Sequence, residues 1–289
     1  MKRIVLLLIM AFLMLVPFSE AQVKKSSKKT VRTSQSKTKK SKSANKTSKT
    51  KNYTDSIKEF TVEGHPFRMI RVDGGSFMMG SPDGQGDEDG IDKPAHQVKL
   101  STYYIGETEV SKDLWYAVMG TVPWGISDPS SQRYANSMTY DDAQKFIRKL
   151  NQMTGQQFRL PTEAEWEFAA RGGNYSHGYK YAGFNEIVRN EDGWDIGQPN
   201  ELGLYQMSSN VWERCSDFYN YYPSDSQTNP KGPSKWSIDD KTPHRVIRGG
   251  SIDDMPYVNA LLYNNCPVWK RRHYSTNGPH NWIGLRLAL

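Results

Sequence analysis

Hydrophobic residues open the chain as one run, Ile4 to Phe18, behind Lys2 and Arg3 and ahead of Ser19-Glu20-Ala21. A basic start, a short apolar stretch and small residues at the cleavage point make a secretory signal ending at Ala21. The run is shorter than the roughly 20 apolar residues a spanning helix needs. No Cys follows it for lipid attachment, and no later stretch is apolar enough to span a bilayer. From Gln22 to Asn52 the apolar pattern vanishes into Lys, Ser, Thr, Gln and Asn. Such a segment buries too little apolar area to offset chain entropy, so an extended, disordered tether is expected.

Periodicity returns near Phe60. Phe67, Met69, Ile70 and Val72 read as a strand, and Asp73-Gly74-Gly75 as a turn into a second strand, Ser76 to Met79, so a hairpin opens the domain. Ser111 caps a helix in which Leu114, Trp115 and Val118 share a face and Gly120 ends the run. Ala143, Phe146, Ile147 and Leu150 recur at helical spacing ahead of Gly155. Thr162 and Glu165 fit a capping box for a third helix, with Trp166, Ala169 and Ala170 facing inward and Gly172-Gly173 as its stop. Beyond Gly173 the chain is rich in Gly, Pro, Asn and aromatics, with short strands expected at Val246 to Ile247 and Leu285 to Leu289. The pattern predicts a signal peptide (1–21), a basic linker (22–58) and one α+β domain (59–289) with little regular secondary structure, no repeat and no second linker.

Composition agrees with a chain that buries a core: 36% hydrophobic and 12% aromatic residues exclude wholesale disorder, and 2 Cys exclude a disulfide scaffold. The formal charge of +7 invites a nucleic-acid reading until its distribution is followed. Residues 22–52 hold 12 of the 38 basic residues and none of the 31 acidic ones; residues 1–21 hold two basic and one acidic. That leaves 24 basic against 30 acidic residues for 53–289, a net charge of −6. A domain with that balance repels phosphate overall, so no nucleic-acid partner is expected. The basic tether fits either contact with an anionic envelope surface, screened by salt, or a plain soluble spacer.

The loop at 81–96 gathers Asp83, Asp87, Glu88, Asp89 and Asp92 around three glycines. It fails the EF-hand frame, because Gln85 stands at the first ligand place and no Glu closes the twelfth. A solvated loop is the reading kept.

Six blocks in consistent order then carry a resemblance: GGSFMMGS (74–81), PAHQVKLSTYYIGETEVSKDLWYAVMG (94–120), FRLPTEAEWEFAARGG (158–173), PNELGLYQMSSNVWERCSDFY (199–219), RVIRGGS (245–251) and GLRLAL (284–289). Together they resemble the sulfatase-modifying-factor family of formylglycine-generating-enzyme-like domains, over roughly residues 65–289. The resemblance implies the formylglycine-generating-enzyme fold, a complex variant of the C-type-lectin-like fold. It also implies, for active members, two cysteines shortly after Gly-Gly-Ser that bind copper(I) and use oxygen to convert a substrate cysteine in exported sulfatases to formylglycine. Soft thiolates suit copper(I), and carboxylate or amide oxygen does not.

Carried onto this chain, the resemblance places Ser251 at the active-site serine and Trp212 at the tryptophan of the NVWE block, but Asp254 and Asn259 at the two cysteine places. The asparagine expected before the final Gly-x-Arg is Trp282, beside Asn281. Copper is therefore not expected. A family calcium site would map onto Glu213, the carbonyls near Ser209 and Val211, and Gln206, whose neutral amide is a weaker ligand than carboxylate. The alternative for Glu213 is an internal hydrogen bond or ion pair beneath Trp212.

Cys215 and Cys266 either pair, as an oxidising compartment allows, or stay as two buried thiols. The six histidines show no ligand spacing, and neither a metal cluster at His273 and His280 nor a Ser251 nucleophile is supported. Residues 254–281 are dense in Tyr, Trp, Arg and Asn. They suggest a groove lined by Trp212, Tyr257, Trp269, Arg271, His273 and Trp282, suited to sugars or extended peptides, or else aromatics that fill an irregular core. The function expected is an exported (periplasmic, outer-surface or secreted), non-catalytic module for a protein, peptide or glycan partner. The competing reading is a formylglycine-type oxidase of exported sulfatases with another metal site.

Overall fold

The computed structural model describes residues 56–86, 90–123, 134–185, 198–236, 241–251 and 266–289. The signal peptide and nearly all of the basic linker lie outside the described residues, as do Asp87, Glu88 and Asp89 of the acidic loop. Among the described residues ten strands and three α-helices follow one another: β1 (Ile57–Val62), β2 (His65–Val72), β3 (Gly75–Met79), β4 (His96–Leu100), β5 (Tyr103–Gly106), α1 (Lys112–Met119), α2 (Tyr140–Thr154), α3 (Glu163–Ala170), β6 (Trp212–Phe218), β7 (Gln227–Thr228), β8 (His244–Arg248), β9 (Arg271–Ser275) and β10 (Ile283–Gly284). The arrangement is α+β, as expected. None of the described helices is long and apolar enough to cross a membrane.

All three helices stand where capping and spacing put them. Ser111 Oγ accepts from Leu114 N–H at 3.0 Å, and Thr162 and Glu165 form the full capping box. A second box, Thr139 with Asp142, opens α2. Trp115 and Phe146 stack with centroids 4.9 Å apart, which ties α1 to α2.

The expected opening hairpin is not formed. β2 pairs with β1 and β5 in one three-stranded sheet, and β3 with β4 and β7 in another. Gly74 explains the difference: its N–H donates to Thr102 Oγ1 at 3.0 Å, and a Cβ there would lie 2.6 Å from the Leu100 carbonyl. Residues 73–75 thus hand the chain from one sheet to the next. The hairpin that does form joins β1 to β2 through Glu63 (φ 47°) and Gly64 (φ 84°), the left-handed pair a two-residue turn needs.

The third sheet, in order β10-β6-β8-β9, positions the site. β6 runs antiparallel to β8 and parallel to β10. Residues 285–289 continue from β10 as backbone rather than as the strand expected. Val110, Gly106 and Tyr104 N–H donate to the carbonyls of Leu285, Leu287 and Leu289, and Ala288 bridges to Arg159.

Candidate functional site

Side chains of β6 point alternately to its two faces. Glu213, Cys215 and Asp217 meet α3 and the larger core: Trp166 Nε1 donates to Glu213, Cys215 joins the hydrophobic cluster around Trp166, and Asp217 accepts from Glu163 N–H. On the opposite face, Trp212 packs with Ile247 and Ile283, with Tyr274 and Trp282 against them, while Arg214 donates to the Met138 carbonyl. Pairing of Glu213 with Arg248 and of Trp212 with Ile283 brings the Gly249-Gly250-Ser251 exit of β8 and Trp282 to the Trp212 end of β6. The family-equivalent positions Ser251, Trp212 and Trp282 are therefore gathered at one end of this sheet. Asp254, Tyr257 and Asn259 lie outside the described residues.

Below that end Glu213 makes an internal ion pair, the alternative given for it, with a partner that the sequence did not reveal. Arg286, fully buried, binds both oxygens of Glu213 at 2.6–3.0 Å and donates to the Gly106 and Tyr205 carbonyls at 2.9 Å. With Trp166 Nε1 at 2.6 Å, Glu213 is occupied by protein donors, the internal arrangement weighed for it. Glu109 lies at the far side of Arg286 (3.5 Å) and accepts from Asn210. One guanidinium serves one carboxylate well, and burial pushes the Glu109 carboxyl up to about 8 against the pull of Arg286. Of the other calcium candidates, Gln206 is left-handed (φ 62°) with a buried Oε1 that has no hydrogen-bond partner among the described residues, and Ser209 and Val211 are buried. Among the described residues no group of three or more His, Cys, Asp or Glu could hold a metal ion.

A second buried network ties α3 to β8 and β9. Arg271 binds both oxygens of Glu163 at 2.6 and 2.7 Å; Arg248 pairs with Glu163 and Glu167; and Arg171 donates to Glu167 at 2.7 Å. Asp217 beside it is pushed up to about 7, by burial first and by Glu163 second. These acids were hidden in sequence because EAEWEFAA carries charge on a helix whose residues are nearly all buried. The one available signal was the absence of a polar face.

The groove candidates divide. Trp212, Trp269 and Arg271 are buried, the last with its guanidinium spent on Glu163, so these three fill the core, the alternative held open for them. His273 and Trp282 are half-exposed. His273 Nδ1 lies 2.9 Å from His244 Nδ1, and its imidazole is held down to about 4 by burial, His244 and the neighbouring arginines. The cysteine pairing left open is not made: both residues are buried thiols. Cys215 points from β6 into the core, whereas Cys266 Sγ packs on Gly250, where an added Cβ would come within 2.1 Å.

These shifts set a pH dependence. Glu109 and Asp217 hold protons in the folded chain that the unfolded chain has released, so their contribution to stability falls as pH rises towards about 8. His273 acts oppositely, but only below its ordinary value of 6.5. The melting temperature is therefore expected to fall between pH 6.5 and 8, with a shallower slope in Glu109→Gln. Equal slopes in the two proteins, followed by circular dichroism, would remove Glu109 from the account.

A family model for the sulfatase-modifying factor enzyme 1-like domain matches residues 53–289. The chain is 27% identical over 255 residues to formylglycine-generating enzyme of Streptomyces coelicolor, covering 63% of this chain and 77% of that one. It is 28% identical over 218 residues to serine/threonine-protein kinase pkn1 of Chlamydia pneumoniae, covering 63% of this chain but only 32% of the kinase. The match thus spans about a third of that kinase's length. Among solved structures, Treponema denticola variable protein 1 superposes with a TM-score of 0.62 at 26% identity, over 80% of this chain and 98% of that one. The formylglycine-generating-enzyme-type fold expected from the sequence is the one adopted.

Proposed function

Because the chain belongs to the family of sulfatase-modifying factor enzyme 1-like domains, we propose that it is an exported, non-catalytic member that serves as a binding module. The observation that carries the reading is where sulfur stands. Asp254 and Asn259 occupy the cysteine places, and the two cysteines present are elsewhere: Cys215 is buried, its thiol pushed well up by burial, and Cys266 is packed on Gly250. Neither set fits copper(I), which asks for two accessible thiolates. No step of formylglycine chemistry is therefore assigned to this chain.

Export follows from the segment 1–21, and the basic residues of 22–52 give the module a tether with affinity for an anionic envelope surface. The half-exposed residues Tyr274, His280 and Trp282 offer a peptide or glycan partner aromatic faces on the Trp212 side of the sheet, whereas His273 pairs with Val246 and lies against Tyr219. A calcium ion at Gln206, the Ser209 and Val211 carbonyls and Glu213 belongs to this reading only as a weak ligand. Gln206 Oε1 is available to it, but Glu213 would have to leave Arg286.

The test is metal analysis of the mature protein after loading with copper(I), iron(II) and calcium, beside a thiol count under denaturing conditions. Two thiols per chain and no stoichiometric copper or iron are expected. Stoichiometric copper or iron, with oxidation of a cysteine-bearing sulfatase peptide, would return the chain to the oxidases.

A further inference from the structure

At the far end of β6 from Ser251, on the α3 face of the sheet, a cavity of about 360 Å³ opens between α3, β4 and the 220–233 loop. Trp212 and Asp217 are five residues apart, roughly 17 Å along a strand, so this cavity is separate from the Ser251 end. We infer that it binds one pyranose ring of a glycan, stacked on Tyr221 and hydrogen-bonded to Asp217 Oδ1.

The cavity's wall is fixed before any ligand arrives. Tyr222 lies under the Arg271 guanidinium at 4.0 Å and against His96 at 4.9 Å, and its hydroxyl donates to Glu163 at 2.9 Å. Its floor holds a carboxyl that the fold has half used. Asp217 is 4% exposed; Glu163 N–H and Ser216 O–H both reach Oδ2, and no hydrogen bond among the described residues reaches Oδ1. At the rim Tyr221 is 65% exposed, the most exposed large hydrophobic residue described, and only its backbone N–H is bonded, to Asn220 Oδ1. Lys231 adds an ammonium with no ion-pair partner among the described residues, and Asn220 and Gln227 add amides.

That inventory selects the ligand class. An aromatic face at the mouth wants a flat apolar surface, and a carboxyl oxygen that accepts when ionised and donates when protonated, beside an ammonium and amides, wants groups that both donate and accept. A sugar ring offers both, C–H groups on one face and hydroxyls at its edge. A proline-rich peptide suits the Tyr and Pro rim, but proline offers only carbonyl acceptors and no N–H, so it cannot serve Asp217 in both protonation states as a hydroxyl does. The volume is at the small end for ligand sites, enough for a ring and its substituents.

The inference gives the binding module a ligand class and rests on that reading, but its test is separate. The mature chain is mixed with methyl glycosides of glucose, galactose, mannose and N-acetylglucosamine, and saturation transfer to their ring protons is recorded. Transfer to at least one glycoside is expected, reduced at least tenfold in Tyr221→Ala, whose exposed site leaves the fold intact, and at least fivefold in Asp217→Ala. Tyr116→Ala, on the exposed face of α1 and outside the cavity, is expected to keep the full signal. No transfer to any of the four from the folded chain, or transfer unchanged in Tyr221→Ala, would overturn the site. Binding of an octaproline peptide that Tyr221→Ala abolishes would give the pocket to a peptide and also overturn it. Copper-dependent oxidation would instead sink the binding-module reading and leave these arms as they stand.

Discussion

Arg286→Leu is expected to cost the domain about 3–5 kcal/mol, because it strands the fully buried Glu213 without its counter-charge. The guanidinium contributes three contacts to Glu213 and one each to the Gly106 and Tyr205 carbonyls, so leucine removes the partners of groups that water cannot reach. For a domain of this size that loss lowers the melting temperature by roughly 6–20 °C. The informative companion is Glu213→Leu combined with Arg286→Leu. Once both charges are gone the desolvation penalty goes with them, and the double variant should recover a large part of the loss. If it is as unstable as the single variant in urea titrations, the ion pair is not what holds β6 to residues 285–289.

Glu163→Leu is the second large effect, again about 3–5 kcal/mol. Arg271 then keeps only the carbonyls of Ile91 and Asn220, and Tyr222 loses its acceptor. Arg248 is less affected, since Glu167 remains beside it. A control stands two residues away. Glu165 holds Arg159 in two hydrogen bonds of 2.6 and 2.7 Å, but Arg159 is 42% exposed, so Arg159→Leu should cost at most about 1 kcal/mol. Equal losses for Glu163→Leu and Arg159→Leu would show that burial does not separate these pairs.

Helices were legible because their signals are local. Ser111 to Leu114, Thr162 to Glu165 and the stops at Gly120 and Gly155 all lie within a turn of what they control. The strands were legible as elements but not as partners. Asp73-Gly74-Gly75 has the composition of a hairpin turn, and only the approach of Leu100 and Thr102 makes it a crossover. The same limit hid the site. Glu213 met its sequence neighbours in a recognisable block, but its partner is 73 residues away, and that of Glu163 is 108. Residue type left Trp212, Trp269 and Arg271 open to a groove or to the core, and only the folded packing and the pairing of Arg271 with Glu163 put them inside. The pocket beneath Tyr221 had no motif at all, since α3, β6 and the 220–233 loop meet there only once folded.

The weaving of residues 285–289 between β5 and Arg159 also governs the order of events in time. Tyr104, Gly106 and Val110 find their backbone partners about 180 residues later, and Gly106 receives Arg286 as well. Contacts so distant are slow to form, and a chain emerging from synthesis cannot make them until residues 285–289 are available. The first sheet is thus left with an open edge while the rest is made. A polypeptide built this way stays unlocked until residues 285–289 have been made, and it is their arrival that closes the first sheet.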